Sequence, residues 1–483
     1  MKSTLARFVA IVLISVFGVS PVWATCGGGG GGGDGGMSSG GGANPIVYHV
    51  PWRIRAPQDP AVISGLVLYW FPASDQEVQK SSLRSSRLLS LYATQCVSME
   101  LADSQTPNEE KLVGDSKVPV AVLATPDGEV VNKVENKDGR LKVELVEKLV
   151  ETEVKQREKA LDVHLADAKA KTKAGDNSAA SKLYRAVLEQ QCMFPKKAKE
   201  ASKELKKMGE AVAEDILDTP VFDRVESKRI ERTMYRGLRA EINARYMLAE
   251  KLYTKAHLMD PADPAPLRYL GELYRHHIGD WNKARTTFEA ILKMPADRLS
   301  RAVALHGLGK MTIHDGEFKK GLALMEKSVE EFPLPLAYRN LAVYWNSEGD
   351  PVRGNSYTEK AIALDPKDPY NLMFAAVFMA AAGHRDEALK IARENAGLLP
   401  ASYNVAAVYA QTGQRDKAIA FLRRHFFQYE RYRAVREKEM MEARVDAVFD
   451  SIRQDSAFLA LTSGADGKLP MPMKAMSGLA TDR

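Results

Sequence analysis

The chain has 483 residues, 45 % of them hydrophobic, enough for about three packed domains. Its formal net charge is only +6, and no Lys/Arg stripe is interleaved with aromatics, which speaks against nucleic acid as a partner. The excess is uneven: residues 45–150 carry −2 and residues 151–483 carry +7, a weak bias toward an acidic partner.

Residues 1–24 read as an export signal. Lys2 and Arg7 precede an apolar stretch from Phe8 to Val19, too short to span a bilayer as a helix. Pro21 breaks it, and Val22-Trp23-Ala24 fits cleavage after Ala24. The mature protein is thus expected to be periplasmic or secreted. Cys26 raises a rival reading, a lipid anchor. Trp23 and Thr25 are poor residues for that modification, so it is not favoured. Residues 25–44 are glycine-rich and read as a flexible linker of roughly 20–25 Å reach.

Residues 45–154 read as a small α/β domain. Leu66 to Phe71 is a continuous apolar strand ended by Pro72. Helical spacing follows over 79–95, then strands at Val97–Leu101 and Val118–Leu123. The turn Thr125-Pro126-Asp127-Gly128 leads to a hairpin partner at Glu129-Val130-Val131, and an amphipathic helix covers 141–154. This order, with Pro119 before the third strand, resembles the thioredoxin-like fold. The resemblance implies a redox cysteine pair near Pro72-Ala73-Ser74-Asp75, and no cysteine is there. The domain is therefore expected to be a redox-dead binding or packing module. Cys96 and Cys192 could bridge; two separately buried thiols are the favoured expectation.

From residue 155 onward the pattern is helical. Residues 155–229 form a divergent helical repeat (Gly175, Ala180, Tyr184, Val187) and a connector. Residues 230–429 carry the clearest signal. Gly316, Gly321, Met325, Ser328 and Pro333 recur as Gly349, Gly354, Thr358, Ala361 and Pro366, then as Gly383, Ala388, Ala392, Asn395 and Pro400. Gly413, Ala418 and Leu422 continue the series. The first glycine of each set suits a left-handed helix cap, the next small residue a close helix crossing, and the proline a helix stop. The pattern resembles the tetratricopeptide repeat, which implies a mainly α solenoid of stacked helix pairs preceded by the thioredoxin-like domain. Residues 430–462 should cap the array, and 463–483 form a tail in which Met471, Met473 and Met476 are more plausibly flexible than copper ligands.

No His-Glu-x-x-His, Walker A or Gly-x-Ser-x-Gly motif occurs, and His276-His277 reads as a solvated helix end. No cofactor or metal is expected. The resemblance instead implies a groove along the first helices of successive repeats that holds a peptide or partner protein. Its residues would include Arg268, Arg275, His306, Lys310, Arg339, Asn340, Asn346 and Asn404, basic early and apolar later, suiting a ligand with an acidic segment. Packing between repeats is the competing role for the same side chains. The sequence thus points to an exported, non-enzymatic scaffold or adaptor. Two alternatives stay open: a divergent thiol-disulfide or peroxide enzyme using Cys96, and a lipid-anchored structural component of the envelope.

Overall fold

A computed structural model describes residues 47–54, 64–104, 106–212, 220–364, 366, 368–399, 401–429 and 433–463. The signal expected over 1–24, the glycine-rich stretch with Cys26, and the tail from 464 lie outside these residues.

Among the described residues five strands form one sheet: β1 (Arg53–Ile54), β2 (Leu66–Phe71), β3 (Val97–Leu101), β4 (Val120–Ala124) and β5 (Val130–Glu135), in spatial order β1-β3-β2-β4-β5. β3 runs parallel to β1 and β2, whereas β4 and β5 add as an antiparallel pair. β2 is central and buried throughout, as an uninterrupted apolar run demands. The helical spacing over 79–95 is realised in pieces: α1 (Asp75–Lys80), a 3-10 turn at Ser82–Arg84, and α2 (Arg87–Ala93). Ser74, Ser81 and Ser86 each accept a backbone N–H of the piece that follows. Serine offers the backbone this local alternative to a continuous helix. β1 and α3 (Pro107–Val113) were not expected; β1 is two residues long and α3 seven. The Val118–Pro119 peptide bond is cis, immediately before β4.

The helix predicted over 141–154 runs on as α4 (Val143–Lys173), 31 residues long. Val146, Leu149 and Val150 pack its first half under the sheet. Leu161, Leu165 and Ala168 pack its second half among α5 (Asn177–Glu189) and α6 (Pro195–Lys207), within the same apolar cluster. Cys96 and Cys192 form a disulfide across this cluster, with Cα atoms 5.9 Å apart. The favoured expectation of two separate thiols is thereby corrected. The chain brings together residues 96 positions apart because the hairpin of α5 and α6 folds back over the start of β3.

The rest is an array of antiparallel helix pairs: α7 (Arg224–Ile242) with α8 (Tyr246–Met259), α9 (Pro264–Leu273) with α10 (Trp281–Lys293), α11 (Arg298–His314) with α12 (Phe318–Glu331), α13 (Pro335–Ser347) with α14 (Pro351–Leu364), α15 (Pro369–Ala381) with α16 (Arg385–Asn395), and α17 (Tyr403–Gln411) with α18 (Arg415–Arg424). Each second helix also packs on the first helix of the next pair. Neither helix of a pair can bury its apolar face alone, so the stack supplies the core. Gly316, Gly349, Gly383 and Gly413 have φ between +75 and +95, the left-handed caps their phase predicted. Beyond the last pair, α19 (Arg433–Val445), a 3-10 turn at Ala447–Ile452 and α20 (Ser456–Thr462) close the end. Val448, Phe449, Ile452, Phe458 and Leu461 are buried there against α17 and α18.

Candidate protein-binding face

The first helices of successive pairs touch directly, α9 on α11, α13 on α15 and α15 on α17, and make one inner face. All eight predicted groove residues sit on these helices or on the π-helical turn Tyr274–Ile278 that extends α9.

Arg268 is only 2 % exposed. Its Nη2 donates to the Val47 carbonyl at 2.6 Å and its Nη1 to Ser300 Oγ at 3.1 Å. Arg275 is buried beside Glu272, Nη2 to Oε2 2.8 Å. Burial alone would raise the Glu272 carboxyl. Arg275 and His276 outweigh it and hold the group well below the usual carboxylate range. His306 Nε2 and Asn340 Nδ2 are 2.7 Å apart, both interior. Burial, with Arg275 and Lys310 nearby, pushes His306 down to about 3, so it is neutral at physiological pH and can accept from Asn340. Asn340 Oδ1 has no hydrogen-bond partner among the described residues.

Lys310 is half-buried, donating to the Tyr344 hydroxyl at 3.1 Å with its ammonium over the Tyr344 ring. Arg339 is buried and donates to Asn371 Oδ1 at 2.6 Å, with Asp368 3.7 Å away. Asn346 is half-buried and turned away from the row: it bonds the Ala342 carbonyl of its own helix and lies against Gly354 of α14. Asn404 is buried, its Oδ1 without a partner among the described residues.

The structure therefore gathers Arg275, His306, Lys310 and Asn340 into one polar cluster, and sets Arg268, Arg339, Asn346 and Asn404 apart from it. Arg268, Arg275, His306, Arg339, Asn340 and Asn404 are interior side chains; Arg268 is engaged with the N-terminal segment and Ser300, and His306, Asn340 and Arg339 with side chains of neighbouring repeats. Tyr403 through Ala410 of α17 are all buried. Part of that cover comes from α19, whose Met440 and Ala443 join the apolar cluster of the last pairs and whose Glu442 reaches His314 of α11 at 3.3 Å.

Two further positions correct the sequence reading. His277 is not a solvated helix end. It is buried, stacked on Tyr246 at 4.4 Å and 3.7 Å from Glu241. Cys96 offers no thiolate, since its sulfur is bonded to Cys192. It also lies at the wrong end of the sheet for the expected redox site. Its carbonyl accepts from Leu66 N at the start of β2, whereas Ser74 follows the end of that strand, about 20 Å along it. Around Ser74 the chain caps α1: Ser74 Oγ accepts from Glu77 N, and Glu77 Oε2 reaches back to accept from Ala73 N.

What sequence reasoning missed is the occupant of the first station on the inner face. Val47 and Tyr48 are buried in the apolar cluster of α7 to α11. Only the apolar character of Ile46-Val47-Tyr48 just after the glycine stretch hinted at it. Among the described residues no group of His, Cys, Asp or Glu is arranged to hold a metal ion, and no helix is long and apolar enough to cross a membrane.

No family model and no curated protein matches the chain. Among solved structures it is similar to a tetratricopeptide repeat protein from Parabacteroides merdae ATCC 43184, with 16 % identity over 49 % of this chain and 98 % of that one, at a TM-score of 0.28. It is also similar to the P58(IPK) TPR domain, with 14 % identity over 71 % of this chain and 98 % of that one, at a TM-score of 0.20.

Proposed function

We propose that this protein is an exported scaffold that holds another polypeptide on the inner face of its helix-pair array. One observation carries the reading: this face already holds a main-chain segment, with the Val47 carbonyl on Arg268 and the Tyr48 hydroxyl on Asp263. Side chains that bind backbone groups of one segment have the chemistry to bind those of another. The export part rests on residues 1–24, and a Cys96–Cys192 bridge suits an oxidising compartment. The sheet order, with β3 parallel to β1 and β2 and an antiparallel β4–β5 pair, supports the thioredoxin-like reading of the small domain, which would serve as a second, redox-inert surface.

The test is site-specific cross-linking. A photo-cross-linker at Lys310, half-exposed in the polar cluster, should trap a partner polypeptide, and Lys310→Glu should weaken that capture at unchanged thermal stability. Partner capture untouched by Lys310→Glu, with cross-links only from the small domain, would move the function off the array. The lipid-anchored alternative turns on Cys26: the intact mass of the mature chain separates a free Thr25 terminus from an acylated cysteine.

A further inference from the structure

Residues 47–50 are threaded between the two units of the molecule. Val47 and Tyr48 are buried in the apolar cluster of the array, whereas Val50 is buried in that of the sheet. Val50 N bonds the Arg84 carbonyl at 2.9 Å, tying the far end of the segment to the small domain.

The array reads this segment residue by residue. The Val47 amide donates to the Tyr235 hydroxyl of α7, and its carbonyl accepts from Arg268 of α9 at 2.6 Å. The main chain of one residue is thus bonded by side chains, unlike the packing of most loops, whose main chain usually bonds backbone or water. The next residue is read by its side chain: Tyr48 donates its phenol to Asp263 Oδ2 at 3.0 Å, with the Arg87 guanidinium 5.8 Å above the ring. His49 meets Phe332 edge-on at 5.3 Å. Asp263 itself is fixed, because its other oxygen caps α9 by accepting from Ala265 N.

We propose that the cleft between Tyr235, Asp263 and Arg268 is a recognition site for an aliphatic–tyrosine segment of a partner protein, kept closed in the resting chain by the chain's own Val47–Tyr48. This deepens the scaffold reading and rests on it. The occupant is defined by what the cleft bonds: one residue with a free N–H and carbonyl, so not proline, and a small apolar side chain, followed by tyrosine. Phenylalanine would remove one of the two donors on Asp263 Oδ2, leaving only Arg87 Nε there. A tethered segment competes at an effective concentration in the millimolar range for short linkers. A free ligand of equal chemistry at 10 µM would therefore fill about one cleft in a hundred or fewer. A partner succeeds only if it adds contacts beyond these two residues, so the segment acts as a threshold against weak ligands.

The experiment uses the full chain and a labelled peptide, Pro-Ile-Val-Tyr-His-Val-Pro-Trp, the sequence of residues 45–52. The double variant Val47→Gly/Tyr48→Gly, checked for folding by circular dichroism, should bind this peptide at least tenfold more tightly than the wild type. The same peptide with Phe for Tyr should bind several-fold more weakly. A folded variant that takes up no peptide, or that takes the Tyr and Phe peptides equally, overturns the proposal. Should the variant fail to fold, a protease site placed within residues 55–63 of the wild type gives a second measurement. After cleavage, labelled peptide should replace the released segment on the array, and a nicked protein that retains its own segment against excess peptide overturns the proposal as well. Either failure alongside normal Lys310-dependent partner capture would leave the scaffold reading standing, whereas loss of capture in Lys310→Glu tests that reading alone. Dimers that form through exchanged segments, seen by light scattering of the wild type, would count against a foreign partner.

Discussion

Arg87 Nε donates to Asp263 Oδ2 at 2.9 Å, joining α2 of the sheet domain to the N-cap of α9, 176 residues later. The guanidinium also bonds Asp260, Ser227 Oγ and the Val221 carbonyl, and Arg87 is 1 % exposed. Burial favours losing its proton, but Asp263, Tyr48 and Asp260 together hold it above its ordinary value. This is a complete buried network, in which removing one member costs more than the pair is worth. Arg87→Met should therefore destabilise the protein by about 3–5 kcal/mol, through two buried carboxylates left without their cation. Restoring balance with Asp260→Asn and Asp263→Asn should recover part of that loss. Urea unfolding of the three variants checks both statements, and an Arg87→Met protein as stable as the wild type would show that the joint is not closed in solution.

Gly321 and Gly349 recur in the same repeat pattern for different reasons. A Cβ at Gly321 would lie 2.5 Å from the Gly309 carbonyl oxygen of α11, so Ala there should cost about 1–3 kcal/mol by forcing the two helices apart. A Cβ at Gly349 meets nothing within 4 Å, but the residue sits at φ +81. Ala there should cost about 1–2 kcal/mol through backbone strain alone. Asparagine separates the two: it tolerates the left-handed region, so Gly349→Asn should recover much of the loss, and Gly321→Asn should be worse than Gly321→Ala. Melting temperatures of the four variants decide the matter.

Those two glycines also show what the amino-acid order discloses. A left-handed cap and a close helix crossing each depend on one residue type at one place, so their recurrence is visible without coordinates. The strands β2 to β5, with their apolar runs and a Pro-Asp-Gly turn, are legible for the same local reason. The end of α4 is not, because an amphipathic period carries no mark where a helix leaves one unit for the next. Nor is the fate of the charged row on the inner face. Arg268 and Lys310 look alike in sequence, yet one is buried on Val47, 221 residues away, and the other stays half-exposed. Which cation is covered depends on long-range contacts that no local spacing encodes.

The Cys96–Cys192 bridge closes a span of 96 residues between the sheet and the α5–α6 hairpin. Cross-links over long spans restrict the unfolded chain most, so Cys96→Ala/Cys192→Ala should lose about 2–4 kcal/mol of stability. Reductant should destabilise the wild type by a similar amount and leave the double variant unchanged. Peptide mapping under non-reducing conditions should recover the two cysteines in one linked fragment, and alkylation of Cys96 or Cys192 without prior reduction would contradict the pairing.

The pH dependence should carry the mark of His306. Its imidazole is held down to about 3 in the folded chain, against an ordinary 6.5 once unfolded. Between those values the unfolded state binds the extra proton, so stability should fall as pH drops from 6.5 toward 3 and then level off. His49, held down to about 4 by burial, adds in the same direction. Glu231 works against both. Burial and the nearby Glu147 raise it to about 7, so between 4.5 and 7 the folded state binds its proton and gains stability as pH falls. The net slope should thus be about one proton from pH 6.5 to 4.5 and steeper below, where Glu231 no longer compensates and Glu272, held low by Arg275 and His276, begins to bind a proton more readily in the unfolded chain. His306→Gln, which keeps a hydrogen-bonding partner for Asn340 and cannot titrate, should flatten the steep part by about one proton. Urea midpoints from pH 3.5 to 8 for both proteins measure this, and superimposable curves would mean that His306 is protonated within the fold, with Asn340 presenting its oxygen instead.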